Sequence, residues 1–273
     1  MEILGSLFAT LFTNPTINGL VAIYKLLTAL SIPYALGFSI IVFTVIIRII
    51  LYPFAASQIK VSRKMQELQP HLSKLKDKHK GDAKKIQEET MLLYKQHGVN
   101  PLGTCLPTLL QLFLSFALYS VFVDFLSTKP AETIAKFNNS LYFDALKLRE
   151  LSDPTFFGLP LNMSPANLLN TMGPIILLVP IITGILQFLQ SKMLFQSQPK
   201  TEKKAKNEPD FSSMMQTQMV YLVPFTIAFA AYTFPIGLAL YWNTYTIFAM
   251  IQQYKLYGMG GLKDLKFLPG VKK

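Results

Sequence analysis

Residues 34–56 read YALGFSIIVFTVIIRIILYPFAA, an apolar run about as long as a bilayer is thick, with one arginine, Arg48, inside it. A helix of about 20 apolar residues crosses the hydrocarbon, and a guanidinium within it costs several kcal/mol unless water or a polar partner receives it. Arg48 is therefore expected to face something wet. Thr44 stands one turn before it on the same helical face, while Ile41, Val42, Val45, Ile46, Ile49 and Ile50 can cover the lipid side. The competing reading is a structural arginine paired with a carboxylate. The only acid in any later apolar block is Asp124, close to a block end, so no buried counter-ion is visible and Arg48 reads as lining a hydrated cavity.

The rest of the chain agrees. Its 273 residues are 51% hydrophobic and only 15% charged, with a mean hydropathy of +0.35, and the apolar residues arrive in bilayer-length blocks. Five blocks are expected to span: residues 34–56, 101–126 (apolar from Cys105), 172–194, 216–234 and 235–254. Phe234-Pro235-Ile236-Gly237 alone joins the last two, which makes them a tight hairpin. The fold class is thus all-α: a polytopic membrane protein of five transmembrane helices.

Basic residues fall on one side of these blocks. Residues 57–100 hold ten Lys or Arg, the loop 195–215 holds four, and the tail 255–273 holds five, whereas residues 127–171 balance four bases with four acids. The positive-inside rule places the three basic segments in the cytoplasm, with the N-terminus outside and residues 127–171 as the one sizeable external loop. The net charge of +11 then gathers on the cytoplasmic side, where anionic lipid headgroups and ribosomal RNA are counterparts. Within the tail, Lys255, Lys263, Lys266, Lys272 and Lys273 are the candidate ribosome or lipid contacts.

In residues 1–33, Asn14-Pro15 is expected to break an apolar start. The repeat Ile17, Leu20, Val21, Tyr24, Leu27, Leu30 then marks a short amphipathic helix lying in the outer interface. A sixth span interrupted at Pro15 is the alternative, and it would move the N-terminus to the other side. No signal peptide or organelle presequence is evident, so a bacterial cell membrane is the expected location.

Residues 57–100 carry two helical stripes, one through Val61, Met65, Leu68, Leu72 and Leu75, the other through Ile86, Met91, Leu93 and Tyr94, with a turn at Gly81-Asp82. They predict a cytoplasmic helical hairpin, either a plain solvated loop or, through its charge, a docking element. Chemistry motifs are absent: His71, His79 and His97 lack metal-ligand spacing, Cys105 is a lone thiol, and there is neither a phosphate-binding glycine loop nor a nucleophile elbow. No enzyme, metal or cofactor is implied.

Polar residues inside the later spans share faces. Gln111, Ser115 and Tyr119 stand four apart, Thr183, Gln187 and Gln190 align, and Asn243 aligns with Thr246 beside Trp242. For any one of them an interhelical hydrogen bond is the simpler explanation. As a set with Arg48 they could wall one cavity.

Several of these stretches, in order and with family-like spacing, resemble the YidC/Oxa/Alb membrane protein insertases. They are residues 38–53 (FSIIVFTVIIRIILYP), Lys64-Met65, Leu68-Gln69-Pro70, Leu93-Tyr94-Lys95, Asn100-Pro101-Leu102-Gly103 with Cys105-Leu106-Pro107, Gln111, Ala117-Leu118-Tyr119, Phe234-Pro235, Leu240-Tyr241-Trp242 and Gln252-Gln253. Thr104, Phe113 and Tyr245-Thr246 depart from the pattern, standing where a glycine, a proline and a Ser-Asn pair are usual.

The resemblance implies that Arg48 lies in a hydrophilic groove open to the cytoplasm and to lipid but closed outside, under a mobile lid made by residues 57–100. It implies nascent membrane proteins as clients and lipid and the ribosome as partners, a Sec-type translocon as a further candidate, and action as a monomer. A small channel or carrier using Arg48 as an anion site is the alternative, though the spans show no internal repeat. A ribosome anchor would leave Arg48 unexplained.

Overall fold

The computed structural model describes residues 2–79, 82–100, 105–125, 130–150, 154–194 and 218–264, and these are almost wholly helical. The chain opens with α1 (Glu2–Phe8), a π-helical turn (Ala9–Thr13) and α2 (Asn14–Ala29), which run as one rod. Pro15 was expected to break it and does not. The Asn14 N–H bonds back five residues to the Ala9 carbonyl, and this wider turn just before Pro15 accommodates a residue that has no N–H to donate. Residues Gly5–Ala29 are long and apolar enough to cross a membrane, so the short interfacial helix expected from the sequence is part of a longer element.

A turn with left-handed Ser31 and Tyr34 sends α3 (Ala35–Ile50) back along α2, and the missing side chain of Gly19 makes room for the Phe43 ring between them. The span expected over 34–56 contains a bend: α3 ends at Ile50, and α4 (Tyr52–Glu67) departs at 65°. Pro53 explains the bend, since its ring would clash with the carbonyl four residues earlier in a continuous helix. Gln69-Pro70 breaks the next helix in the same way. The predicted two-helix hairpin is therefore three helices: α4, then α5 (Gln69–Lys78) folded against α6 (Ala83–Gln96), whose first turn Asp82 caps by accepting from the Lys85 N–H at 3.0 Å.

Among the described residues there follow α7 (Cys105–Phe125), α8 (Pro130–Ser140), α9 (Pro165–Met172), α10 (Leu178–Leu194) and α11 (Val223–Thr233). Beyond the Phe234-Pro235 turn comes α12 (Ile236–Tyr257), which packs against α3, α7 and α10 and forms the hub of the bundle. Strands β1 (Thr155–Phe156) and β2 (Leu159–Pro160) make one small antiparallel hairpin between α8 and α9.

The two ends of the bundle differ. At the loop end, residues 130–150 and 154–172 clamp the turns. Asn18 exchanges hydrogen bonds with the Ser140 carbonyl and the Tyr142 N–H at 2.7 Å each, Lys25 donates to the Ala145 carbonyl at 2.6 Å, and Asp124 is paired with Lys136 at 2.6 Å. The first free N–H groups of α12, on Ile236 and Gly237, donate to the Met163 and Leu161 carbonyls at 2.9 and 2.8 Å.

At the hairpin end, α4 is fastened to α10: Gln66 Nε2 donates to the Leu194 carbonyl at 2.8 Å. Arg63, which is buried, stacks 5.4 Å from the Tyr257 ring, beside the tight turn at Gly260.

Because lipid is as apolar as leucine, such bonds and close packing, and not the hydrophobic effect, hold membrane helices together. The apolar core is concentrated towards the loop end, where Ile40, Phe43, Leu118, Val121, Leu161, Ile176, Ile236, Leu238 and Tyr241 meet.

Candidate functional site

Below that apolar layer the character of α12 changes. Ile236, Leu238 and Ala239 are buried near its start, then Trp242, Thr246, Gln252 and Gln253, also buried, follow towards the hairpin end at helical spacing. Trp242, Thr246 and Gln252 each reach a different neighbour, while Gln253 Nε2 is buried without a hydrogen-bond partner. Trp242 Nε1 donates to Ser115 Oγ on α7 at 3.3 Å, and Gln187 Nε2 on α10 donates to Thr246 Oγ1 at 3.1 Å. Gln252 Nε2 donates to the Arg48 carbonyl on α3 at 3.2 Å. One helix thus gathers polar residues from three others.

Arg48 sits against this stripe. Its guanidinium carbon lies 4.1 Å from the centre of the Tyr245 ring, and the side chain is only 5% exposed. Its Nε has no hydrogen-bond partner, and no ion pair among the described residues includes it. A cation–π contact contributes about 0.5–2 kcal/mol, less than the several kcal/mol that an intramembrane charge costs. Asp124, the acid considered from the sequence as a partner, is held by Lys136 at the loop end.

The other expected site residues divide. Ser115, Gln187 and Trp242 belong to the cluster on α12. Gln190 and Asn243 are half-buried, and Asn243 Oδ1 has no hydrogen-bond partner. Thr44 is almost fully buried, and its hydroxyl donates to the Ile40 carbonyl of its own helix at 2.6 Å, so it is occupied locally. Tyr119 stacks 5.1 Å from Phe234, whose ring is 6.2 Å from that of Trp242, which puts it in the aromatic layer by the Phe234 turn. Lys255 and Lys263 are exposed. Lys266, Lys272, Lys273 and the side chain of Gln111 lie outside the described residues.

The sequence reading passed over Tyr245 and Gln252 as site residues. The signal that finds them is the i, i+3, i+4 spacing from Trp242, which carries Tyr245, Thr246, Ala249, Gln252 and Gln253 onto adjoining faces of one helix.

Comparison with known proteins gives the family. Residues 27–260 match the model of the 60Kd inner membrane protein family. A "Membrane protein insertase YidC" of Streptomyces avermitilis is 32% identical over 260 residues, which cover 93% of this chain and 59% of that protein. Proteins of the same name from Fusobacterium nucleatum subsp. nucleatum and Oceanobacillus iheyensis are 33% and 34% identical over 82% and 79% of this chain, and 87% and 72% of their own lengths. Of the Helicobacter pylori J99 relative the chain spans only 32%. With most of its length matched by the family model and by these relatives, the chain belongs to the 60Kd inner membrane protein family, the family of the YidC membrane protein insertases.

Proposed function

We propose that this protein inserts nascent membrane proteins into the bilayer of a bacterial cell. The observation that carries the reading is the polarity gradient along α12: an apolar layer at the loop end, and Arg48, Ser115, Gln187, Thr246 and Gln252 grouped beneath it towards the hairpin end. Taking the basic hairpin end as cytoplasmic, the groove opens inward and is shut outward. A client's polar flank must cross about 30 Å of hydrocarbon, and a polar recess reaching part-way shortens the dry distance. Arg48 attracts acidic residues of that flank, the apolar segment partitions into lipid, and burial drives release without a covalent step. The apolar layer at the loop end counts against the channel or carrier alternative, which needs a polar path right across.

In this reading the five core spans keep the C-terminal side cytoplasmic, and the rod through Gly5–Ala29 is a sixth. Its Asn18 and Lys25 are held at the loop end, while Phe8 and Phe12 reach the ring of Phe113, at 6.2 and 5.1 Å. Phe113 lies eight residues, about 12 Å, into α7 from its hairpin-end start, so Glu2 falls on the cytoplasmic side, the reverse of the N-out expectation. The moving lid is α5–α6, with α4 as its fixed stalk. Lipid and, through the basic tail, the ribosome are partners; a Sec-type translocon is a further one.

The test is reconstitution. Purified protein in liposomes without any other translocase should protect a small single-span client from added protease, and liposomes without the protein should not. Equal protection in both would end the insertase reading.

A further inference from the structure

The proposed attraction of acidic clients by Arg48 leaves open what aims the guanidinium, and Tyr245 answers. From the 4.1 Å stacking of the Arg48 guanidinium on its ring, we infer that Tyr245 is a positioning residue that sets the preference for acidic client flanks. The inference rests on the insertase reading above.

An arginine side chain has four rotatable bonds and, in a polar recess, many orientations. A ring beneath one face of the plane removes most of them and leaves the edge, where Nε has no hydrogen-bond partner, to meet a carboxylate. The backbone beneath is fixed as well, since Gln252, about two turns further along the same helix as Tyr245, holds the Arg48 carbonyl. Both constraints come from α12, so Arg48 is oriented from a helix other than its own. In this inference the role falls to the ring face and not to the hydroxyl.

The experiment uses the full chain in liposomes and a single-span client in two forms, with two acidic residues or none in the translocated flank. The readout is the ratio of acidic to neutral client inserted, from which differences in the amount of folded protein cancel. Tyr245→Leu should lower this ratio by roughly two- to thirtyfold, the range of an aromatic–cation contact, and Tyr245→Phe should stay within about twofold of the parent. Arg48→Lys should lower the ratio in the parent but add little in the Tyr245→Leu background, because an ammonium has no plane for the ring to orient.

An unchanged ratio in Tyr245→Leu overturns the inference, including the case in which both clients fall together, as a purely structural role would produce. So does a Phe variant as impaired as the Leu variant, which would assign the effect to the hydroxyl. If Arg48→Ala itself leaves the ratio unaltered, the groove reading fails first. If Arg48→Ala abolishes the preference and Tyr245→Leu does not, only the inference about Tyr245 fails.

Discussion

Gln66 donates from Nε2 to the carbonyl oxygen of Leu194 at 2.8 Å and so fastens the helix that follows Arg48 to the end of α10. That bond divides the segment read from the sequence as one lid. Helix α4 carries Gln66 and the buried Arg63 into the bundle, whereas α6 has no buried residue and exposes Met91 and Leu92. Amide exchange should therefore be fast in α5–α6 and slow in α4. A disulfide through Gln66→Cys and Leu194→Cys should leave insertion intact, while one tethering α6 to the end of a span should impair it reversibly. Uniform exchange across all three helices would return the lid to its original, longer extent.

Replacing Arg48 by alanine should abolish or sharply reduce insertion of clients with acidic flanks, without lowering the amount of protein in the membrane. Removal of an intramembrane charge relieves a folding cost of a few kcal/mol, so lost function with retained abundance separates a groove residue from a structural one. Quantitative blotting beside the protease-protection assay reads both. Full activity of the variant would remove Arg48 from the mechanism.

The Gln187–Thr246 bond joins α10 to α12 in a buried site and should behave as an ordinary interhelical contact. Gln187→Leu and Thr246→Val are each expected to destabilise by about 1 kcal/mol, with a coupling of roughly 0.6–1.7 kcal/mol between them. Unfolding in a detergent titration, run as a double-mutant cycle, measures this. Purely additive effects would mean that the two side chains do not depend on one another.

The basic tail beyond Asp264 should bind ribosomes through phosphate contacts. Deleting residues 265–273 spares the buried Leu262 and removes Lys266, Lys272 and Lys273. Co-sedimentation of the parent should weaken steeply as salt rises, and the truncated protein should show a flatter slope, by about 0.7–0.9 per lost contact. Identical, salt-insensitive binding by both would leave the tail as a topology determinant only.

Ser6 is exposed near the start of the rod and distinguishes a span from an interfacial helix. In cells, Ser6→Cys should resist a membrane-impermeant thiol reagent added outside and react only after the membrane is opened. Labelling from outside would restore the interfacial helix and the five-span topology.

Much of this protein is written in its linear pattern. Blocks of apolar residues about a bilayer long, the basic bias of residues 57–100 and the isolated Arg48 are local properties, and they follow from what hydrocarbon tolerates. Family membership was legible for a related reason: its motifs, such as Leu240-Tyr241-Trp242 and Gln252-Gln253, lie in order along the chain.

What the tertiary structure alone decided concerns choices between partners. Pro15 and Pro53 are chemically alike, yet a π-helical turn absorbs the first while the second bends the chain by 65°, because only the first lies where a wider turn precedes it within a continuous rod. Thr44 and Ser115 both look like groove hydroxyls, but one bonds its own helix and the other the indole of Trp242. Periodicity ranks faces, not neighbours. The stacking of Arg48 on Tyr245, which lies 197 positions further along the chain, depends on how α3 crosses α12, and that angle is set by the packing of the whole bundle.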